Sequence, residues 1–198
     1  MFEKMTIEQY CEILASDSPA PGGGSALALI GAAACSLVEM SSNVTLLKIA
    51  EEDEKHGYLF RESNSFKRAR LRLYELSNED AAAYQRIVEA RKLPQNTEDE
   101  KKLRTANLQK AFHRATLVPL EVMQLCLDAL QRADARVLPN LSKYIVSDCE
   151  IGISLLKTVI KYSIKNVYAN TCFIHNDELK LNLEKQAKEI VDKVNAHF

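Results

Sequence analysis

At 198 residues, 46% hydrophobic and 27% charged, the chain has the size and composition of one globular domain, not of a fibrous or disordered protein. A formal net charge of −1 supplies no basic field for nucleic acid. The opening MFEKMTIEQY, with Glu3, Lys4 and Glu8 and no apolar core, does not read as a signal peptide.

Helical signals then follow in chain order. Thr6-Ile7-Glu8-Gln9 is a capping box, and Ile7, Tyr10, Cys11 and Leu14 recur at helical spacing, which predicts a helix over 6–16. The stretch SDSPAPGGG ends it. A second helix is expected over 25–48; its first half is nearly all small residues, the pattern of a central helix that neighbours approach closely. Its apolar part, Ala26 to Cys35, is about ten residues against the roughly 18 of a membrane span, so no membrane segment is expected. A third, charged helix covers 51–92, with Gly57 as the point where it would break or bend and LPQNT as its stop. Thr97-Glu98-Asp99-Glu100 is a second capping box, starting a helix to 134 in which Pro119 is expected to introduce a kink. Pro139 marks the next break, before helices over 141–170 and 176–196. With no strand pattern and no repeat, the reading is all-α: a single-domain bundle of about six helices over 1–198, built around a long small-residue helix.

Several residues invite a chemical reading. Gly22, Gly23 and Gly24 either permit a tight turn and a close helix crossing or open backbone N–H groups to an anion. No GK[ST] follows them and no strand precedes them, so neither a phosphate loop nor a dinucleotide fingerprint is present. Asp80, mid-helix and followed by three alanines, is either a solvated surface acid or a half-buried carboxyl with a raised pKa, able to move protons near neutrality. Ser147 and Asp148 lie in an apolar helix, where a carboxylate needs a partner. Asn166 and Asn170 share a helix face and suit either a ligand or a neighbouring helix. Lys67, Arg68, Arg70 and Arg72 form a solvated basic face or a lure for an anionic ligand. The cysteines at 11, 35, 126, 149 and 172 are odd in number, lack CxxC spacing and sit in apolar stretches; free buried thiols of a reducing, cytoplasmic compartment are expected. The histidines at 56, 113, 175 and 197 are scattered without HExxH, and no metal site is expected.

Taken together, APGGGSALALIGAA, EDAAAY, EARKLPQNTEDEKKLRTANLQKA, VPL, SD and KNVYAN resemble the cyclodeaminase/cyclohydrolase family of folate enzymes over nearly the whole chain. The resemblance implies an all-helical subunit that forms a homodimer, with a reduced folate, polyglutamylated or not, bound near the glycine loop and no cofactor beyond that tetrahydrofolate substrate. It implies that Asp80 is the essential acid/base, that Gly22, Gly23, Gly24 and Ser25 form the binding loop, and that Asn43, Thr45, Ser147, Asp148 and Asn166 are polar site positions. A Gly-Asn pair common before Ser-Asp in the family is missing from LPNLSKYIVSD, which leaves Asn140 without an assigned role. The family's formiminotransferase half is not in the sequence, so a transferase partner is expected to be a separate chain. The implied activity is formiminotetrahydrofolate cyclodeaminase; methenyltetrahydrofolate cyclohydrolase and a non-catalytic folate- or partner-binding protein are the alternatives.

Overall fold

The computed structural model describes residues 2–198, and among them every regular element is helical. A short 3-10 turn, Phe2–Lys4, precedes α1 (Ile7–Ala15), α2 (Gly23–Leu46), α3 (Glu54–Arg91), α4 (Glu98–Arg132), α5 (Val146–Thr171) and α6 (Asp177–His197). The result is an all-α six-helix bundle. α2 lies between α3 and α5, α3 and α5 each pack on α4, and α6 closes over α4 and α5.

Local chemistry sets most of the starts. Thr6 Oγ1 accepts the Gln9 N–H at 3.1 Å while Gln9 Oε1 accepts the Thr6 N–H at 3.0 Å. Thr97 and Glu100 repeat that box at 3.2 and 2.9 Å. Asp53 caps α3 and Asn176 caps α6, each accepting a backbone N–H at 2.8 Å. Such caps satisfy donors that the first helical turn leaves open, each worth about 1 kcal/mol. α2, which starts on Gly22, has no side-chain cap of its own.

The large core side chains come from α3 (Leu59, Phe66, Leu73, Leu76), α4 (Val118, Met123, Leu127, Leu130) and α5 (Leu156, Ile160), all fully buried. α2 adds Ala28, Ala32, Ala34, Cys35 and Val38, small enough for its neighbours to come close. At Gly152 the approach of α5 is so tight that a Cβ would stand 2.9 Å from Val38 Cγ2 and 3.0 Å from the Ala34 carbonyl oxygen. α4 then runs through a π turn, Ala133–Val137, and a 3-10 turn, Leu138–Asn140, making one long helical path through the core.

Three expectations are revised. α3 continues unbroken past Gly57. α2, with mean hydropathy 1.5 over an 18-residue window, is long and apolar enough to cross a membrane, contrary to the reading of Ala26 to Cys35; here it packs inside the bundle. Finally, all five cysteines are free but only Cys35, Cys126 and Cys149 are buried; Cys11 and Cys172 are exposed. Burial pushes the Cys35 and Cys149 thiols up to about 12 and Cys126 well above its usual value, which makes these three poor nucleophiles.

Candidate active site

The cap that α2 lacks comes from α3. Asp80 accepts the backbone N–H of Ser25, so its carboxylate also faces the positive end of the α2 dipole. A Cβ built on Gly24 would stand 2.7 Å from Asp80 Cγ and 2.8 Å from its Oδ2, closer than real Cβ atoms come. Gly24 is therefore required by the carboxylate opposite it. Gly22 and Gly23 differ, since a Cβ on either meets nothing within 4 Å. They border open space. The two readings of the glycine run thus divide between its members, close approach at Gly24 and an accessible helix start at Gly22 and Gly23.

That space is a cavity of about 220 Å³ bordered by Gly22, Gly23, Gly24, Asp80, Tyr84 and Asn166. The Ala20–Pro21 peptide beside it is cis. Burial pushes the Asp80 carboxyl above its ordinary 3.8, and the Ser25 N–H opposes this without cancelling it. Behind the carboxylate, the buried Ser25 Oγ lies 2.8 Å from the buried Ser77 Oγ and 3.3 Å from the Tyr10 hydroxyl. Ser77 and Asp80 are three residues apart on one face of α3. This Tyr10–Ser25–Ser77 chain pins the loop under Asp80. Burial, with the Asp80 charge adding to it and the Ser25 bond opposing, raises the Tyr10 phenol. Tyr10 escapes notice in the sequence because it falls in the apolar stripe of α1; the 77/80/84 spacing on α3 is the signal that points to Ser77.

The two asparagines have separate jobs. Pro119 has no N–H, so the Ala115 carbonyl one turn earlier loses its helical donor. Asn170 Nδ2 replaces it, donating to Ala115 O at 2.9 Å. Asn166 lines the cavity and has no side-chain hydrogen bond among the described residues, which leaves its amide available to a ligand.

Asn43, Thr45, Ser147 and Asp148 are not at this cavity. Asn43 is 19 residues from Gly24 along α2, and Ser147 is 19 residues from Asn166 along α5, in each case about 28 Å of helix. At that far end Asn43 Oδ1 accepts from Ser63 Oγ at 2.6 Å, and Thr45 Oγ1 accepts the Ser142 N–H at 3.2 Å. Asp148 lies in the first turn of α5, where its charge meets the helix dipole. Asn140 Nδ2 donates to the Arg136 carbonyl at 2.9 Å. Of the basic cluster, Arg70 pairs with Glu39 at 3.0 Å, and Arg72 with Glu121 at 2.7 Å and Glu79 at 2.6 Å. Those two charges are already matched.

Fold and site together define an all-helical protein with one half-buried carboxyl facing a glycine-rich helix start. The chain belongs to the formiminotransferase-cyclodeaminase family, which matches residues 6–189, and so to a family of enzymes that act on folates. It is 31% identical over 167 residues to a methenyltetrahydrofolate cyclohydrolase of Methylorubrum extorquens, covering 83% of this chain and 78% of the relative. It is 29% identical over 178 residues to the formimidoyltransferase-cyclodeaminase of Rattus norvegicus, covering 88% of this chain but only 32% of that longer protein. The fold matches the crystal structure of a formiminotetrahydrofolate cyclodeaminase from Thermotoga maritima with a TM-score of 0.86 at 25% identity, over 99% of this chain and 93% of the other.

Proposed function

We propose that the protein is a formiminotetrahydrofolate cyclodeaminase, closing 5-formiminotetrahydrofolate to 5,10-methenyltetrahydrofolate with release of ammonia. The observation that supports this best is the Asp80 carboxyl, half-buried, raised by burial, and the one carboxyl among the described residues that line the cavity. With the formimino group entering as its amidinium, the reaction needs one proton moved over a short distance, and the positive charge ends on the methenyl product. As N10 of the substrate bonds to the amidine carbon, ionised Asp80 takes the N10 proton. The same carboxyl then gives that proton to the exocyclic nitrogen, the bond from carbon to that nitrogen breaks, and ammonia leaves. Nothing is oxidised or reduced, and the route asks for no cofactor beyond the tetrahydrofolate itself. Acid–base transfer of this kind contributes about 10²- to 10⁴-fold in rate, and holding N10 against the carbon adds an orientation term. Gly22 and Gly23 let the ligand approach the helix start, and the Asn166 amide can hydrogen-bond the pterin.

A second reading, cyclohydrolase, is favoured by the likeness to the Methylorubrum relative, of which the chain covers 78%. Water would add to the methenyl carbon and the bond to N5 would break, giving 10-formyltetrahydrofolate, with Asp80 again moving the proton. A homodimer, a cytoplasmic location and a separate formiminotransferase chain belong to the same proposal. The apolar groove between α1 and α2, which exposes Ile7, Leu14 and Ile30, supports a self-associating surface.

The test is spectrophotometric. Growth of the methenyl chromophore from 5-formiminotetrahydrofolate, with ammonia released, supports the cyclodeaminase. Decay of methenyltetrahydrofolate above the buffer rate, without that growth, supports the cyclohydrolase. A folded protein that binds tetrahydrofolate and does neither is a binding protein.

A further inference from the structure

A cavity of about 220 Å³ is smaller than the roughly 300–1,000 Å³ that encloses a drug-sized ligand. A folate held there by its pterin must extend beyond the mouth. Three chain segments lead away from the cavity in one direction. One turn beyond the cavity residue Ile87 on α3 is Arg91; one turn before Ala115 on α4 is Phe112; three residues beyond Asn170 of α5 is Phe173. These three residues meet. The rings of Phe112 and Phe173 stack with centroids 4.5 Å apart and 17° between planes, and the Arg91 guanidinium sits 5.9 Å from the Phe112 centroid. The shelf is braced, because Gln109 Nε2 donates to the Phe173 carbonyl at 2.9 Å while Gln109 Oε1 accepts the His175 N–H at 2.8 Å.

Arg91 is exposed and its guanidinium has no carboxylate partner among the described residues. Arg72 and Arg114, on the same two helices, are both engaged by Glu79. Asp80 and Arg91 share a face of α3 and are 11 residues apart, about 16 Å along the axis. Helical side chains lean toward the N-terminus, which carries the guanidinium back toward the cavity.

Resting on the folate reading of the Asp80 cavity, we propose that Arg91, seated on the Phe112–Phe173 pair, binds the glutamate-tail carboxylate of the substrate. A planar guanidinium takes a carboxylate with two parallel hydrogen bonds. The exposed ring of Phe173, 46% accessible, offers a face beside the path of the p-aminobenzoyl ring.

Calorimetric titration with tetrahydrofolate and with tetrahydropteroate, the same molecule without glutamate, tests this for wild type, Arg91→Ala and Arg91→Lys. Wild type should bind tetrahydrofolate roughly 10- to 100-fold more tightly than tetrahydropteroate, the worth of one charge-assisted contact. Arg91→Ala should lose most of that preference by weakening tetrahydrofolate alone, and Arg91→Lys should restore part of it. Equal weakening toward both ligands, or an unchanged preference in Arg91→Ala, overturns the proposal. If wild type binds both ligands equally, the Arg91 subsite falls and the folate reading stands. If it binds neither, both fall.

Discussion

A side chain on Gly24 has no room while Asp80 is opposite, because the added Cβ would stand 2.7 Å from the carboxyl carbon. Gly24→Ala must displace the carboxylate, so kcat should fall at least tenfold while far-UV circular dichroism stays that of the wild type. Gly23→Ala is the control for folding. Its Cβ meets nothing within 4 Å and the chain has no positive-φ glycine among its described residues. It should fold as stably as wild type or gain about 0.4–1 kcal/mol from a less flexible unfolded chain. Wild-type kcat in Gly24→Ala would remove the special status of Gly24. Asp80 itself has a cost. Its carboxyl is raised above 3.8 by burial, so ionising it disfavours the folded state; the penalty is absent below the unfolded pKa and fully present once the pH has passed the raised value. Asp80→Asn keeps an oxygen to accept the Ser25 N–H and removes the charge. Its melting temperature should exceed that of wild type at about pH 8, with the gap closing as the pH falls toward about 4. A variant that melts lower at the alkaline end would show that attraction between the Asp80 charge and the α2 N-terminus outweighs desolvation of Asp80.

At the scale of helices, the close contact between α2 and α5 is set by Gly152. Alanine there would gain up to about 1 kcal/mol in helix propensity. Against this, its Cβ would stand 3.0 Å from the Ala34 carbonyl, a backbone atom that cannot rotate away, and overpacking of that kind costs about 1–3 kcal/mol. Gly152→Ala should therefore lower the urea midpoint, whereas Gly57→Ala, whose Cβ meets only the flexible end of Arg61 at 3.7 Å, should raise it. A stabilised Gly152→Ala would contradict the tight crossing. The helices themselves are legible in the sequence where local chemistry sets them: the capping boxes at Thr6 and Thr97 place the starts of α1 and α4. They are less legible where it does not. The start of α5 falls at Val146 instead of 141 because π and 3-10 turns extend the α4 path through Asn140. The role of Asn170 is invisible in its own neighbourhood, since it answers a carbonyl that Pro119 frees on another helix, 55 residues away.

For the molecule as a whole, the bundle has two polar ends, and residues close in motif but far along a helix fall at opposite ones. Spacing in the sequence identifies Asp80, the glycines and Asn166 as polar or permissive positions. Only the antiparallel run of α2 against α3 and α5 brings these together and sends Asn43, Thr45, Ser147 and Asp148 about 28 Å of helix away. The Tyr10–Ser25–Ser77 chain likewise joins three helices that no local pattern links. Proton transfer by one carboxyl is the claim on which the functional reading turns. The most direct test is turnover of 5-formiminotetrahydrofolate by wild type and Asp80→Asn, with tetrahydrofolate affinity and helix content measured on the same samples. The expected result is a fall in kcat of at least about 100-fold with affinity and helix content nearly unchanged. Wild-type turnover in Asp80→Asn, or loss of activity, binding and helix content together, would contradict it.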